Sequence, residues 1–313
     1  MADSDKRILI LTDGKAGHEN QSRAFARALG GTCDLAPVKF RSKAAKALSY
    51  VLDHLGIRTR LLFAVEGEAS TASCRYAAVI GTGSGTFYAA KTLARRLGTK
   101  CGVVLYPRGY RLSGFDCILA PSFDSPAKRR NVVEIPANIV ANDAAFYDKG
   151  VAAFRERYAG SVDNLACVIV GGPNKCSTMT VEWMKERLDA IFAENPGSEL
   201  CVTTSRRTPP DVEALVDSYP WAYKLIYSKD HFNPIPAFVS LAKRLYVTAE
   251  STGMLSEAFT CGKAKVFALD NLKPGGHKFR RFVELLRKGG YVDGNRKIDL
   301  SAQIEKAKGL LGI

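Results

Sequence analysis

One pattern recurs along most of the chain: a short apolar run, a polar or glycine-bearing loop, then a segment whose apolar positions follow helical spacing. Few folds accept it. Apolar runs of that length, bounded by turn residues, read as strands buried on both faces. A helix between two such strands returns the chain so that the next can run in the same direction, so the pattern specifies βαβ units on a parallel sheet. In the first half, strands are expected at 8–12, 33–40, 76–81, 101–106 and 116–121, with a short last one at 132–136. Helices are expected near 18–29, 43–57 and 84–97. A less patterned stretch, 137–163, follows. The second half has strands at 166–172, 199–205, 223–228, 244–249 and 264–269. Its helices fall near 178–194, 210–218, 234–242 and 251–262, followed by helical segments at 276–289 and 301–311. At 313 residues the chain exceeds what one core usually organises. The expected fold class is therefore α/β: two Rossmann-like doubly wound domains facing across a cleft. The expected boundaries are 1–150 and 151–313, with the C-terminal helix packing back on the first domain.

Ligands of such sheets bind beyond the carboxyl ends of the strands, so the strand-end loops are the places to search. The first, TDGKAGHENQ (12–21), holds Gly14 and Gly17, which permit close backbone approach. Lys15 and the following helix N-terminus favour an anion. Asp13 and His18 are each competent as a general base, with Asn20 and Gln21 beside them. The spacing is neither GxxxxGK[ST] nor GxGxxG, and a well-capped turn is the competing explanation. The second loop, GTGSGT (81–86), places Gly83 and Ser84 before a helix, as a cap or a surface for close ligand approach. The third, GGPNKCST (171–178), offers Gly171, Gly172 and Asn174 as a diphosphate cradle, or a plain turn. The fourth, TTSRRTPPD (203–211), sets Ser205, Arg206, Arg207 and Thr208 before a proline-started helix. Two arginines there oppose the helix dipole, which suggests an anion between them. In the fifth, after strand 244–249, Ser251, Thr252 and Ser256 and a helix N-terminus suit phosphate, and the Glu257 carboxylate suits ribose or sugar hydroxyls.

The formal net charge of +14 favours anionic partners: phosphates, nucleotides or an anionic membrane surface. No long basic tail or aromatic interleaving accompanies it, so nucleic acid is not expected. The chain lacks an apolar run of membrane-spanning length and the apolar segment of a signal peptide, so a cytoplasmic location is expected. None of the eight cysteines forms a CxxC pair. They read as reduced, small, apolar-lined residues with no disulfide framework and no zinc site.

The segment STGMLSEAFTCGKAKVFAL (251–269) resembles the donor-binding helix of GT-B nucleotide-sugar glycosyltransferases. The ordered set TDGKAGHENQ, GG-x-N, TTSRRTP, HFNP and VTAESTGMLSEA resembles something narrower, the mitochondrial-fission ELM-type family. That family has plant members named for elongated mitochondria and many bacterial homologues, and the likeness runs over about 7–290. The family's usual Asp-Ser and Ser-Met pairs read here as Glu250-Ser251 and Gly253-Met254. The GKAGHENQ corner is also similar to the Gly-Gly-His corner of the peptidoglycan GlcNAc transferase, a likeness at the level of fold.

The family resemblance implies a GT-B-like two-domain fold. The activity expected from the strand-end loops, with no Asp-x-Asp motif in the chain, is that of a metal-independent glycosyltransferase with a nucleotide-sugar donor, serving envelope glycan or glycolipid synthesis. The donor side would comprise Gly171, Gly172, Asn174, Ser205, Arg206, Arg207, Thr208, Asn233, Ser251, Thr252, Met254, Ser256, Glu257 and Lys263. Asp13 or His18 would accept the proton of a lipid-linked or glycan acceptor, with the basic surface holding the enzyme peripherally on the inner face of an anionic membrane. No metal and no cofactor beyond the nucleotide sugar is expected. Two other functions fit the same pattern: a non-catalytic scaffold that binds nucleotide, membrane or protein, and a nucleotide-sugar epimerase or hydrolase.

Overall fold

The computed structural model describes residues 6–67, 75–140, 142–294 and 296–313. The chain divides into two compact units, Met1–Ala141 with Asp299–Ile313, and Asn142–Ile298.

The first unit is built on β1 (Arg7–Thr12), α1 (Ala16–Ala28), β2 (Thr32–Phe40), α2 (Lys43–His54), β3 (Phe63–Val65), β4 (Ala78–Thr82), α3 (Phe87–Arg96), β5 (Lys100–Val104), β6 (Cys117–Pro121) and β7 (Val132–Ile135). Its sheet runs β3-β2-β1-β4-β5-β6-β7. All neighbours are parallel except the short edge strand β3, which pairs antiparallel with β2. The alternation of the pleat splits β1 between two cores. Ile8 and Ile10 pack with Phe25, Leu29 and residues Ile304, Ala307 and Leu311 of the C-terminal helix (Ser301–Leu311). Leu9 and Leu11 face the opposite core, with Phe63, Val79, Tyr88 and Val103.

The second unit contains α4 (Ala144–Arg155), β8 (Leu165–Ile169), α5 (Val181–Glu194), β9 (Glu199–Thr203), α6 (Pro210–Ser218), β10 (Tyr223–Leu225), α7 (Ile235–Leu241), β11 (Arg244–Thr248), α8 (Thr252–Cys261), β12 (Lys265–Leu269) and α9 (Lys278–Lys288). Its sheet is all parallel, in the order β10-β9-β8-β11-β12.

The expected boundary near 150 falls inside α4, a helix the apolar pattern does not reveal. Asp143 caps it, accepting from the Phe146 amide at 2.9 Å. Phe154 then anchors it in an aromatic cluster with Tyr158, Tyr223 and Phe238 of the second unit, so α4 belongs there. Gly150 hides the helix from propensity, yet a Cβ there would stand 2.5 Å from Pro236 Cβ, so the glycine permits α4 and α7 to pack closely.

Both sheets reverse strand order once. In the first unit the chain winds outward from β1 to β3 and then returns to β4 on the other side of β1; in the second it winds from β8 to β10 and returns to β11. The switch points, β1/β4 and β8/β11, are where doubly wound sheets open a crevice at their carboxyl ends. Cys101, Cys117, Cys167 and Cys201 are buried free thiols, and Cys33, Cys176 and Cys261 are half-buried. Cys74 lies outside the described residues. No described helix is long and apolar enough to cross a membrane.

Candidate functional site

At the first switch point, the chain leaves β1 at Thr12 and turns through Asp13-Gly14-Lys15 into α1. The Gly14 amide donates to Thr12 Oγ1 at 3.2 Å, and the Lys15 amide to Asp13 Oδ1 at 3.3 Å. This turn places His18 on the first turn of α1, facing back over Asp13. His18 Nδ1 lies 3.0 Å from both Asp13 carboxylate oxygens. The two candidate bases are therefore one hydrogen-bonded pair, 10% and 23% exposed at the Asp13 and His18 side chains. With the Nδ1 proton donated to the carboxylate, Nε2 keeps its lone pair and can accept a proton. α1 itself has no side-chain cap; Thr12 and Asp13 bond the turn that precedes it.

The β4–α3 loop forms the wall of this corner. Gly83 has φ +81°, and a Cβ on it would overlap the His18 ring. A Cβ on Gly85 would stand 2.7 Å from Asp13 Cβ. Any larger side chain at either place would displace the pair. Between these glycines, Ser84 Oγ accepts from Lys46 Nζ of α2 at 3.1 Å. Lys46 is a cation at this corner that the sequence reading missed, because it is carried by a helix that reads as ordinary packing. Lys15 is mostly exposed, its Nζ 3.4 Å from Asp13 Oδ2. Gly14 and Gly17 border open space, Asn20 is exposed, and the Gln21 Oε1 atom is buried without a hydrogen bond.

At the second switch point, a buried carboxylate organises the loops. Glu250, 3% exposed, follows β11. Its Oε1 accepts from the Gly172 amide at 2.9 Å and the Thr248 hydroxyl at 3.0 Å, and its Oε2 from Asn271 Nδ2 at 2.7 Å. Thr248 Oγ1 in turn accepts from the Gly171 amide at 2.8 Å. Both amides of the expected diphosphate cradle are thus already bound to side chains. Gly171 and Gly172 serve close packing instead: a Cβ on the first would overlap Glu250, and on the second the Arg207 carbonyl.

The structure re-sorts the other donor-side candidates. Thr208 is buried, accepts from the Ser205 amide at 2.9 Å and donates to the Gly171 carbonyl at 2.6 Å, so it positions the loop and presents nothing to a phosphate. Ser256 is fully buried and donates to the Thr252 carbonyl at 2.6 Å, which removes it from the ligand end. Lys263 follows the C-terminus of α8, a helix of ten residues spanning about 15 Å. That end leads back to the start of β12, so Lys263 lies at the edge of the sheet opposite the switch-point loops. Asn174 Oδ1 accepts from the Cys176 amide at 2.8 Å, and Asn233 Oδ1 from the Ile235 amide at 3.2 Å, both local turn bonds. Glu257 Oε1 accepts from Tyr147 at 2.8 Å and Asn142 at 3.2 Å, leaving Oε2 as the oxygen open to a ligand. Burial raises the Glu257 pKa above the ordinary carboxylate range, with the two donors opposing that shift. The remaining set falls in two short segments, 205–207 and 251–254. Arg206 and Arg207 are exposed, Ser205 Oγ accepts from the Arg207 amide at 3.3 Å, and α8 opens at Ser251-Thr252-Gly253-Met254 without a side-chain cap.

The family described as mitochondrial fission ELM1 matches residues 16–306. The chain belongs to this family. A curated relative, the uncharacterized protein RP120 of Rickettsia prowazekii (strain Madrid E), is 27% identical over 160 residues, which cover 49% of this chain and 44% of that protein. The chain therefore matches less than half the length of that relative. Among solved structures, a UDP-GlcNAc 2-epimerase from Methanocaldococcus jannaschii superposes with a TM-score of 0.53 at 12% identity, over 97% of this chain and 98% of that one. UGT89C1 of Arabidopsis thaliana, solved with UDP-L-rhamnose, gives a TM-score of 0.53 at 11% identity, over 99% and 90%. At such identities the likeness establishes the fold: two Rossmann-like units of the GT-B class.

Proposed function

We propose that this member of the family is a glycosyltransferase that uses a nucleotide-sugar donor and passes the sugar to a hydroxyl of a glycan or glycolipid acceptor. The observation that carries the reading is the Asp13–His18 pair at the first switch point, walled by Gly83 and Gly85. His18 Nε2 accepts the proton of the acceptor hydroxyl as its oxygen bonds to the anomeric carbon, while Asp13 orients the ring and stabilises the imidazolium. The bond from that carbon to the nucleoside diphosphate breaks. Negative charge then grows on the leaving diphosphate, where Arg206, Arg207, Ser251 and the N-terminus of α8 supply positive charge and donors. Glu257 Oε2 accepts from a ribose or sugar hydroxyl. UDP-sugar binding by proteins of the same fold is in keeping with this reading.

The test is a panel of UDP-, GDP- and ADP-sugars, read first by thermal shift and then by nucleoside diphosphate release with and without acceptors. A matching donor raises the melting temperature by mass action, and release requires an acceptor. Release that ignores acceptors would replace transfer by hydrolysis. No shift with any donor would end the reading.

A further inference from the structure

Helix α2 carries apolar side chains on two faces: Ala45, Tyr50 and Leu52 pack against the core of the first unit, and a second set points to solvent. Its buried residues are Ser49 and Asp53, while Leu48, Val51 and Leu55 are 46%, 55% and 66% exposed. With exposed Ala44, these fall at i, i+4, i+7 and i+11, one continuous helical face. Ile57 at 47% and Leu61 at 78% extend it past the helix. The two most buried residues of the inward face are polar for structural reasons. Ser49 Oγ lies 3.1 Å from Tyr110 OH, and Asp53, fully buried, binds Lys91 Nζ at 2.8 Å, Arg58 at 3.1 Å and the Arg111 amide at 2.7 Å. The outward apolar set is left uncovered, and five of the eight large hydrophobics exposed among the described residues lie within 48–61. An apolar patch of this kind on a folded surface marks an interaction site.

The charge around it selects the partner. Between Lys39 and Leu61 there are six lysines and arginines, and the one acid is the buried Asp53. Lys39, Arg41 and Lys43 are exposed at the N-terminal end of the face, and Arg111, bound to the His54 carbonyl at 3.0 Å, borders its C-terminal end. A second copy would set these cations against one another. An anionic lipid surface accepts both features, apolar side chains at the acyl boundary and cations among the headgroups. We propose that this α2 face docks the first unit on an anionic bilayer. The assignment needs no catalytic step and stands whether or not the chain transfers sugar.

Co-sedimentation of the full chain with vesicles of phosphatidylcholine, alone or with about a third phosphatidylglycerol, tests it. The protein is expected to pellet with the anionic vesicles only, less so as salt rises. Combined Leu48→Gln, Val51→Gln and Leu55→Gln, or Arg41→Glu with Lys43→Glu, should each lower the apparent partitioning more than about tenfold while leaving the melting temperature in place. A second readout leaves the face largely intact: a fluorophore on Leu55→Cys should shift to the blue with anionic vesicles. Absence of vesicle binding, binding that survives the triple substitution, or a dimer that the triple substitution dissociates would each overturn the proposal.

Discussion

Asp13 and His18 show how two residues five apart acquire a joint role. Either can act as a base when read as a free side chain. The turn at Gly14 and the start of α1 bring the ring over the carboxylate, and in the proposed reaction the bond at Nδ1 gives them different tasks. His18→Ala is expected to cut turnover by about 10²–10⁴-fold, with the donor-induced thermal shift retained. Asp13→Asn should also reduce turnover, because an amide holds the ring less firmly in the required tautomer. Retained turnover in His18→Ala would remove it as the base. Glu257 makes a second prediction at this scale. Its folded pKa is raised, chiefly by burial. The folded state therefore holds this proton at pH values where the unfolded chain has released it. Stability contributed by the protonated form is full below the unfolded value and is lost as pH rises through the folded one. Glu257→Gln, which keeps the acceptor for Tyr147, should flatten the fall in melting temperature over that window just above the ordinary carboxylate range. An unchanged slope would mean that another group titrates there.

The second switch point works at the scale of elements, because Glu250 joins three of them. Its two oxygens take donors from the loop after β8, the end of β11 and the loop after β12. Glu250→Ala would leave the Gly172 amide and the Asn271 side chain buried without acceptors. A destabilisation of about 3 kcal/mol is expected from two such losses, measured by urea unfolding. A change under about 1 kcal/mol would show that the loops hold without it. In the proposed reaction, phosphate recognition falls to the start of α8 and to Arg206 and Arg207, since the glycine amides are already bonded. The helices α2 and α4 make a related point. Each departs from simple amphipathic periodicity because of a neighbour: buried Lys91 draws Asp53 inward, and Pro236 requires Gly150.

Over the whole molecule, chain order and unit membership part company. The last helix closes a core that opens with β1: Leu311, 2% exposed, belongs to the cluster of Ile8, Ile10 and Phe25. Leu311→Ala is expected to cost about 2–4 kcal/mol. Because the units have separate cores, the loss should be confined to one of them. Hydrogen exchange should quicken in β1 and β4–β7 and stay unchanged in β8–β12. Uniform loss of protection would show that the two unfold as one.

The strand-and-helix order, the two parallel sheets and the loops worth searching were legible along the chain, because buried strands and their connecting helices announce themselves through local apolar spacing. β3 was not: three residues pairing antiparallel at an edge carry too little pattern. The residues of the first corner stand together in the chain and pair through a local turn, but the Gly83–Gly85 wall depends on strands β1 and β4 lying side by side, which no local spacing encodes. The same limit explains Ser256, Thr208 and Lys263, whose residue types suit phosphate. Helix phase buries the first, a loop carbonyl engages the second, and the direction of α8 carries the third to the far edge of the sheet. Residue chemistry and local period belong to the chain. Which polar groups remain free for a ligand was decided by tertiary contacts, because every buried donor and acceptor must first be satisfied within the fold.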